Sequence, residues 1–386
     1  MKILYVLSTG PLYGDNIALL SILPLLKDRG IKALIIVPDE SDSYYEFKRL
    51  GYLCIGYKYA YSNITPSRYL IGALFFKFKS IIGNYIKKRY IEYFEILRQV
   101  KKFNPDIIHT NCSFINMGVR LAKDINIPHI MHIREYGVLD ARISHFPNEW
   151  LFGMKCKRFG YNITITKDIQ KYFKLKDSNT KFIYDGVFSI KSPYKLIENK
   201  EKYFLYVGRL CEQKGVLEAI TTFKKFHDIQ SDYKLLIAGT GPSNYTNEII
   251  KCIENLNLVD CVELLGYRKD AKVLMQTATA LLVPSYFEAF GFITAEALFN
   301  GCPVIGRLTA GTEEQYKNIR NIKSSQRMFY PYLCDDEMLQ AMQDISSEKI
   351  TNHTMLQYHN KVYELYSAEK SSSCVYDFYQ NIIKKR

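Results

Sequence analysis

Apolar positions along the chain fall into short continuous runs separated by longer stretches of mixed character. "KILYVL" (2–7), "KALIIVP" (32–38), "PDIIHT" (105–110), "PHIMHI" (128–133), "NITIT" (162–166) and "KFIYD" (181–185) read as buried strands. Helical stretches lie between them, the first near 15–29 after a Gly-rich loop. Strands that alternate with helices in this way predict a parallel sheet covered by helices. The rhythm breaks at "GVFSIKSPYKLIENKEK" (186–202), which is polar, contains Pro193 and has no clean period, so it reads as a linker. It resumes with "KYFLYVG" (202–208), "KLLIAG" (234–239), "CVELLG" (261–266), "TALLVP" (279–284) and "CPVIG" (302–306), each followed by a helical stretch. The last segment, "AEKSSSCVYDFYQNIIKKR", reads as a helix ending in three basic residues. The pattern therefore predicts an α/β chain of two Rossmann-like sheets in series, one over residues 1–190 and one over 203–368.

Size agrees with that division. A chain of 386 residues, 47% of them hydrophobic, exceeds what one core usually serves and is globular rather than disordered. Nine Cys are scattered with no C-x-x-C pair and no Cys/His cluster of zinc-ligand spacing, which fits reduced thiols in the cytoplasm. The N-terminus lacks the pattern of a signal peptide. The most lipid-like segment, "YLIGALFFKFKSIIGNYI" (69–86), is broken by Lys77 and Lys79, so no transmembrane helix is expected.

Charge separates the halves. Residues 1–193 hold 29 Lys and Arg against 16 Asp and Glu, whereas 194–386 hold 23 of each, so the first half carries the whole net charge of +13. A basic half seeks phosphate, whether of nucleic acid, anionic lipid or a phosphorylated substrate.

Ligands of open parallel sheets bind beyond the carboxyl ends of the strands, and four loops in such places stand out. In "STGPLYGDN" (8–16), Gly10 and Gly14 let backbone amides approach an anion just before a helix; an ordinary strand–helix turn explains the same residues. In "VGRLCEQKGV" (207–216), Arg209 and Lys214 flank a turn after Gly208, and Lys214 stands where a helix should begin. That placement opposes the helix dipole unless a diphosphate binds there; the plain alternative is two surface charges. "AGTGP" (238–242), with Gly239, is a tight turn that backbone could use to approach a nucleotide, though Gly-Pro clusters mark turns generally. In "PSYFEAFGFITAEAL" (284–298), Pro284 ends a strand, Glu288 lies in the loop, and a helix starts near Gly291 and runs to Gly301. Glu288 can accept sugar hydroxyls, beside the amides of Ala289, Phe290, Gly291 and Phe292. Helix-dipole stabilisation accounts for Glu288 but leaves Glu296, deeper in the helix, unexplained.

"GR…KG" after one strand, "AGTGP" after the next and Glu-x7-Glu in "PSYFEAFGFITAEAL" together resemble the nucleotide-sugar half of glycosyltransferase family 4. The Gly-rich first loop, "PDIIHT", "IPHIMHI", "YDGV" (184–187) and a final helix extend the resemblance over nearly the whole chain. It implies the GT-B fold: two Rossmann-like domains with parallel sheets facing a central cleft, the C-terminal helix (369–386) packing back on the first domain. It implies metal-independent transfer of a sugar from a nucleotide diphosphate sugar, with retention of configuration. The donor is a substrate and no cofactor is called for. By resemblance Arg209 and Lys214 hold the diphosphate, and Glu288 holds donor-sugar hydroxyls with the amides of Phe290, Gly291 and Phe292 near it. Glu296 binds the ribose, and Gly14 lies near the phosphates. A leaving diphosphate needs fixed cations, which suits these residue types. No D-x-D metal motif is present, since "DESD" (39–42) has the wrong spacing. Two positions depart from the family pattern. Where relatives have a His after the "IP" strand this chain has Arg134, followed by Glu135, with His132 two residues earlier; and Asp185 replaces the usual Asn. Either His132 or Arg134 is a candidate for the donor sugar or the acceptor hydroxyl; a structural His at a strand end is the plain alternative.

Residues 68–102 contain nine basic residues against Glu92 and Glu95, interleaved with aromatic and aliphatic ones, as expected of a helix on an anionic membrane; a solvated helix packed on the sheet is the alternative. The expected acceptor is a saccharide, polyprenyl-diphosphate-linked, at the cytoplasmic membrane face, as in bacterial surface polysaccharide assembly (capsule, exopolysaccharide or O-antigen). Competing readings are a nucleotide-sugar-binding protein without catalysis and a nucleotide-sugar isomerase on the same fold. A nucleic-acid partner is not expected, because no recognised nucleic-acid module accompanies the charge.

Overall fold

The computed structural model describes all residues except 39, 58–62, 65–84, 142, 146–147, 159, 193 and 386, and only the backbone of 63–64, 85–91 and 141. The chain divides into two compact units, Met1–Gly186 with Ala368–Arg386, and Val187–Ser367.

The first unit runs β1 (Lys2–Val6), α1 (Gly14–Asp28), β2 (Lys32–Val37), α2 (Asp42–Arg49), β3 (Leu53–Gly56), β4 (Asn63–Ile64), α3 (Tyr85–Phe103), β5 (Ile107–Thr110), α4 (Met117–Ile125), β6 (His129–Ile133), α5 (Val138–Ala141), β7 (Ser144–His145), α6 (Glu149–Arg158), β8 (Tyr161–Thr164), α7 (Lys167–Tyr172) and β9 (Thr180–Phe182). Seven strands form a parallel sheet in the order β3-β2-β1-β5-β6-β8-β9, and β4 pairs antiparallel with β7. The central strands are buried and mostly apolar because helices cover both faces, with His109, His129 and His132 among their buried polar residues. Leu19, Leu23 and Leu26 of α1 pack on Ile3, Tyr5, Ile107 and Ile130, joined by Val375, Tyr379 and Ile382 of the last helix. On the other face Tyr93, Ile96 and Val100 of α3 and Leu121 of α4 pack on Leu4, Val6 and Ile108.

The second unit runs β10 (Glu201–Val207), α8 (Val216–His227), β11 (Lys234–Ala238), α9 (Ser243–Asn255), β12 (Val262–Gly266), α10 (Ala271–Thr277), β13 (Ala278–Val283), α11 (Phe292–Phe299), β14 (Val304–Arg307), α12 (Ala310–Ile319), β15 (Phe329–Tyr332), α13 (Asp335–Ser347) and α14 (Asn352–Tyr366). Its parallel sheet has the order β12-β11-β10-β13-β14-β15. The final helix, α15 (Ala368–Lys384), belongs to the first unit.

Both sheets reverse direction once, between β1 and β5 in the first unit and between β10 and β13 in the second. At such a switch point two neighbouring strands send their connections opposite ways and open a crevice beyond their carboxyl ends. The loops at 8–13 and 111–116 therefore share one crevice, and the loops at 208–215 and 284–291 share the other.

Residues 187–200 are not a solvated linker. Phe188 stacks on Phe299 with ring centroids 4.1 Å apart, and Tyr194 lies 3.9 Å from the His359 ring. Lys200 Nζ donates to Gln276 O and Gly301 O, both at 2.8 Å. Two aromatics in a polar stretch suffice to seat it on the second unit.

No helix among the described residues is long and apolar enough to cross a membrane. Most of the apolar segment at 69–86, the N-terminal part of the basic stretch at 68–102 and the first Asp of "DESD" lie outside the described residues.

Candidate functional site

In the second unit the two crevice loops are joined backbone to backbone. Gly215 has φ +66° and lies against Pro284; a Cβ there would meet Pro284 O at 2.1 Å. Tyr286 N donates to Gln213 O at 2.9 Å. These contacts set the short 3-10 turn Glu212–Lys214 beside the 285–288 segment. Lys214 Nζ then reaches Glu288 Oε1 at 2.5 Å, and Ser285 Oγ donates to the same oxygen at 2.7 Å. The conflict between Lys214 and the start of α8 is thus relieved inside the protein by Glu288. Arg209, one loop turn earlier, is exposed.

The loop that carries Glu288 is held through its carbonyls. Gly311 N donates to Glu288 O at 2.8 Å, and Gln315 Nε2 donates to Phe290 O at 2.5 Å and to Gly291 O at 2.9 Å. Gly311 permits this approach, since a Cβ would stand 2.6 Å from Ala289 O. With those carbonyls held from the α12 side, α11 begins at Phe292 after Gly291, whose φ of +84° suits glycine. Phe290 is buried between Phe292 and Tyr366, so its side chain anchors the loop. Glu296 sits in the second turn of α11. Burial raises its carboxyl pKa and Lys272, 3.9 Å away, opposes the rise.

Gly239 has a structural cause. A Cβ on Gly239 would stand 1.8 Å from Gly208 O, and Leu210 N donates to Thr240 O at 2.9 Å. The glycines of "AGTGP" thus bring this turn against the backbone of the Arg209 loop.

One brace behind this crevice was not foreseen. Arg307, at the end of β14, pairs with Glu218 in the first turn of α8, and Tyr332 Oη donates to the other oxygen of Glu218 at 3.2 Å. The guanidinium also lies over the rings of Tyr286 and Tyr332, 5.1 and 5.3 Å from their centroids. It therefore connects the Glu288 loop to the helix that follows Lys214. Nothing local in the sequence pairs residues so far apart.

In the first unit, Gly14 is the first residue of α1. Asn16 steadies the loop before it by donating to Thr9 O and Pro11 O, at 3.0 and 2.8 Å. Asp15 accepts from Ser8 Oγ at 3.0 Å; burial raises its pKa, and Arg134 opposes the rise.

Arg134 is buried and committed to protein groups. Nε and an Nη donate to the two carboxylate oxygens of Asp185 at 3.0 and 2.8 Å, while the other Nη donates to Asn111 O and Oδ1, both at 2.8 Å. Burial would lower the Arg134 pKa, but the Asp185 charge and hydrogen bonds raise it further.

His132 is also buried and belongs to a chain of side chains. Its Nδ1 is 3.1 Å from His109 Nε2, His109 Nδ1 is 2.5 Å from Tyr379 Oη, and Tyr379 Oη donates to Tyr5 Oη at 3.1 Å. Burial and the nearby Arg134 push both histidines well below their usual pKa, so both are neutral. Which ring nitrogen donates along this chain is set by the tautomers of the two histidines. His132 Nε2 has no hydrogen-bond partner among the described residues and stands 3.9 Å from Asp185 Oδ1.

Glu135 accepts from Cys112 Sγ at 3.1 Å and from Ser113 Oγ at 2.7 Å, and Ser113 Oγ also bonds His145 Nε2 at 2.8 Å. Burial lifts the carboxyl to about 7 against the pull of those bonds.

The residue order and sheet topology define a two-unit α/β fold that solved proteins share. An Anabaena protein, HepE, solved with UDP and glucose, superposes with a TM-score of 0.74 over 100% of this chain and 99% of its own, at 16% identity. Sucrose-phosphate synthase of Thermosynechococcus elongatus gives 0.71 over all of both chains at 17% identity. This is the GT-B fold. Residues 189–367, in the second unit, match the family described as glycosyl transferases group 1. Among sequence relatives, the N-acetyl-alpha-D-glucosaminyl L-malate synthase of Bacillus anthracis is 26% identical over 56% of this chain and 55% of its own length. The O-antigen chain mannosyltransferase RfbU of Salmonella typhimurium is 31% identical over 45% of this chain and 49% of its own. The chain thus spans about half the length of these curated relatives.

Proposed function

We propose that the protein transfers a sugar from a nucleotide diphosphate sugar to a saccharide acceptor with retention of anomeric configuration. In this reading Arg209 and Lys214 receive the diphosphate as its charge develops, Glu288 takes donor-sugar hydroxyls, and the amides at 289–292 face the same ligand. Glu296 holds the ribose. His132 Nε2, which has no hydrogen-bond partner among the described residues, serves a substrate hydroxyl, while Arg134 positions Asp185 and Asn111 around it, and Gly14 lies near the phosphates. The bond from the anomeric carbon to the diphosphate oxygen breaks and one to the acceptor oxygen forms; the acceptor proton leaves with the diphosphate. The observation that carries the proposal is the Lys214–Glu288 contact at the switch point of the second sheet. A donor bound there meets a cation and a carboxylate already held side by side.

The acceptor is a lipid-linked saccharide of a bacterial surface polysaccharide, used at the cytoplasmic face of the membrane. The basic first half and the O-antigen mannosyltransferase relative support this finer reading. A panel of nucleotide sugars is screened by thermal shift, then the donor found is incubated with lipid-linked acceptors and the anomeric configuration of the product is read by NMR. Sugar transfer with retention is expected. Donor binding with no transfer to any acceptor would make the protein a nucleotide-sugar-binding module, and conversion of the donor without acceptor would make it an isomerase.

A further inference from the structure

The positive charge of the first unit is concentrated on one face. Right-handed crossovers place α1 and α2 on one side of the sheet and α3, α4, α6 and α7 on the other, and the two core clusters agree. Counting α3 from Glu92 onward, the second layer carries ten Lys and Arg against five Asp and Glu. The first layer, α1, α2 and α15, carries five against six.

The basic layer also exposes apolar side chains in register with its charges. On α6, Trp150 is 69% exposed and Met154 45%, and Arg158 continues that stripe at the next turn; Leu151 and Lys155 form the row beside it. On α3, Phe94 is 53% exposed and is followed at helical spacing by Arg98 and Lys101. Single exposed apolar residues are ordinary, but four on two helices of one charged layer are not scattered. Between α4 and α6 lies an apolar cavity of about 590 Å³ lined by Val119, Ala122, Met131 and Phe152, with Lys123 and Lys155 on its wall.

We propose that the α3–α4–α6 face of the first unit docks on an anionic phospholipid bilayer, with Trp150 and Met154 in the acyl boundary and Lys123 and Lys155 flanking a groove that takes an acyl chain beneath its phosphate. Exposed apolar side chains flanked by cations on one face are what interfacial docking needs: burial of the former and attraction to lipid phosphate by the latter. The inference deepens the reading of a membrane-bound acceptor and rests on it for its biological purpose; Phe94, Arg98 and Lys101 lie within the basic stretch 68–102, whereas the α4 and α6 residues lie outside it.

Trp150 is the sole tryptophan of the chain, so tryptophan emission reports this face alone. Full-length protein is titrated with vesicles of phosphatidylcholine, with and without phosphatidylglycerol. A blue shift with the anionic vesicles only, reversed by salt, is expected. The charge-reversed variant K123E/K155E should weaken vesicle binding by at least about tenfold while donor-dependent transfer to a water-soluble acceptor stays unchanged. Unchanged emission would overturn the inference even if the protein cosediments with vesicles, because contact would then be made elsewhere, and so would K123E/K155E binding as tightly as the parent. Loss of all transfer with the blue shift retained would overturn the transferase reading and leave the docking face standing.

Discussion

Arg134 and Asp185, on the loops after β6 and β9, face each other through two hydrogen bonds of 3.0 and 2.8 Å in a pocket closed to solvent. They are also the two positions where this chain departs from the pattern of the proteins it resembles. The departures are therefore coupled: an arginine is tolerable in that buried place because an aspartate, rather than an asparagine, stands opposite. Removing one partner strands a buried charge, whereas removing both does not. Arg134→Met and Asp185→Leu should each cost about 3–5 kcal/mol in urea unfolding, and the double variant less than the sum. Additive costs would show that the two side chains act independently.

The chain from Tyr5 through Tyr379 and His109 to His132 gives the returning helix α15 a polar contact with the centre of the first sheet. Tyr379→Phe removes one hydroxyl and leaves His109 Nδ1 and Tyr5 Oη without their partner. A loss of about 1–3 kcal/mol in chemical denaturation is expected. Tyr376→Phe on the same helix serves as the control and should change little. Equal effects of the two changes would mean that the chain contributes nothing beyond ring packing.

Glu135 makes stability depend on pH. Its pKa stands at about 7 in the folded protein against an ordinary value of 4.5, so the folded state binds the proton more tightly than the unfolded chain. The stability it contributes is complete below about 4.5 and is lost as pH rises through about 7. Unfolding monitored between those limits should show the parent losing stability relative to Glu135→Gln as pH rises, by up to about 3 kcal/mol. A constant difference between the two proteins across that range would remove Glu135 as its source.

Which parts of this arrangement were legible in the sequence follows from where their causes lie. The central strands were readable because both faces are covered and their runs are mostly apolar. Of the edge strands, β9 and β12 were readable as apolar runs, whereas β3 and β15 were not: β3 is only four residues, and β15, "FYPY", contains Pro331, which an edge strand tolerates and a central one does not. Lys214 and Glu288 stood out because each breaks a local rule, a cation at a helix start and an acid in an apolar loop. Gln315, Gly311, Arg307 and Glu218 break none. They act through contacts with residues distant in sequence, and no single-residue pattern signals such pairs. Arg134 and Asp185 were each visible as oddities, but their pairing depends on strands β6 and β9 ending at the same edge of the sheet.

The glycines separate close approach from backbone angle. Gly239→Ala places a Cβ 1.8 Å from Gly208 O, a backbone atom that can yield only if the whole loop moves. Gly30 also has a positive φ, +83°, but nothing lies within 4 Å of its added Cβ. Gly30→Ala should therefore cost only the backbone preference, about 1 kcal/mol, and leave nucleotide-sugar binding intact. Gly239→Ala should cost more than about 2 kcal/mol and weaken donor binding through displacement of Arg209. Thermal unfolding and donor titration of both variants check this, and similar behaviour would mean that the loop relaxes freely.

Lys214 and Glu288 are bonded to each other, so their loss tests different things in stability and in catalysis. The pair is partly exposed, with side chains 23% and 13% accessible, and its contribution to folding is modest. Its contribution to transfer is a matter of charge placement against a leaving diphosphate and should be much larger. Lys214→Ala is expected to lower kcat by about 10²–10³ with little change in melting temperature. Glu288→Gln keeps the size of the side chain and its ability to accept from Ser285, but loses the charge that holds Lys214; it should fall less in kcat than Glu288→Ala. Both constants are measured with the donor identified by thermal shift, at saturating acceptor. If Lys214→Ala turns over at the parental rate, the cation that meets the diphosphate is not Lys214, and Arg209 alone would have to supply it.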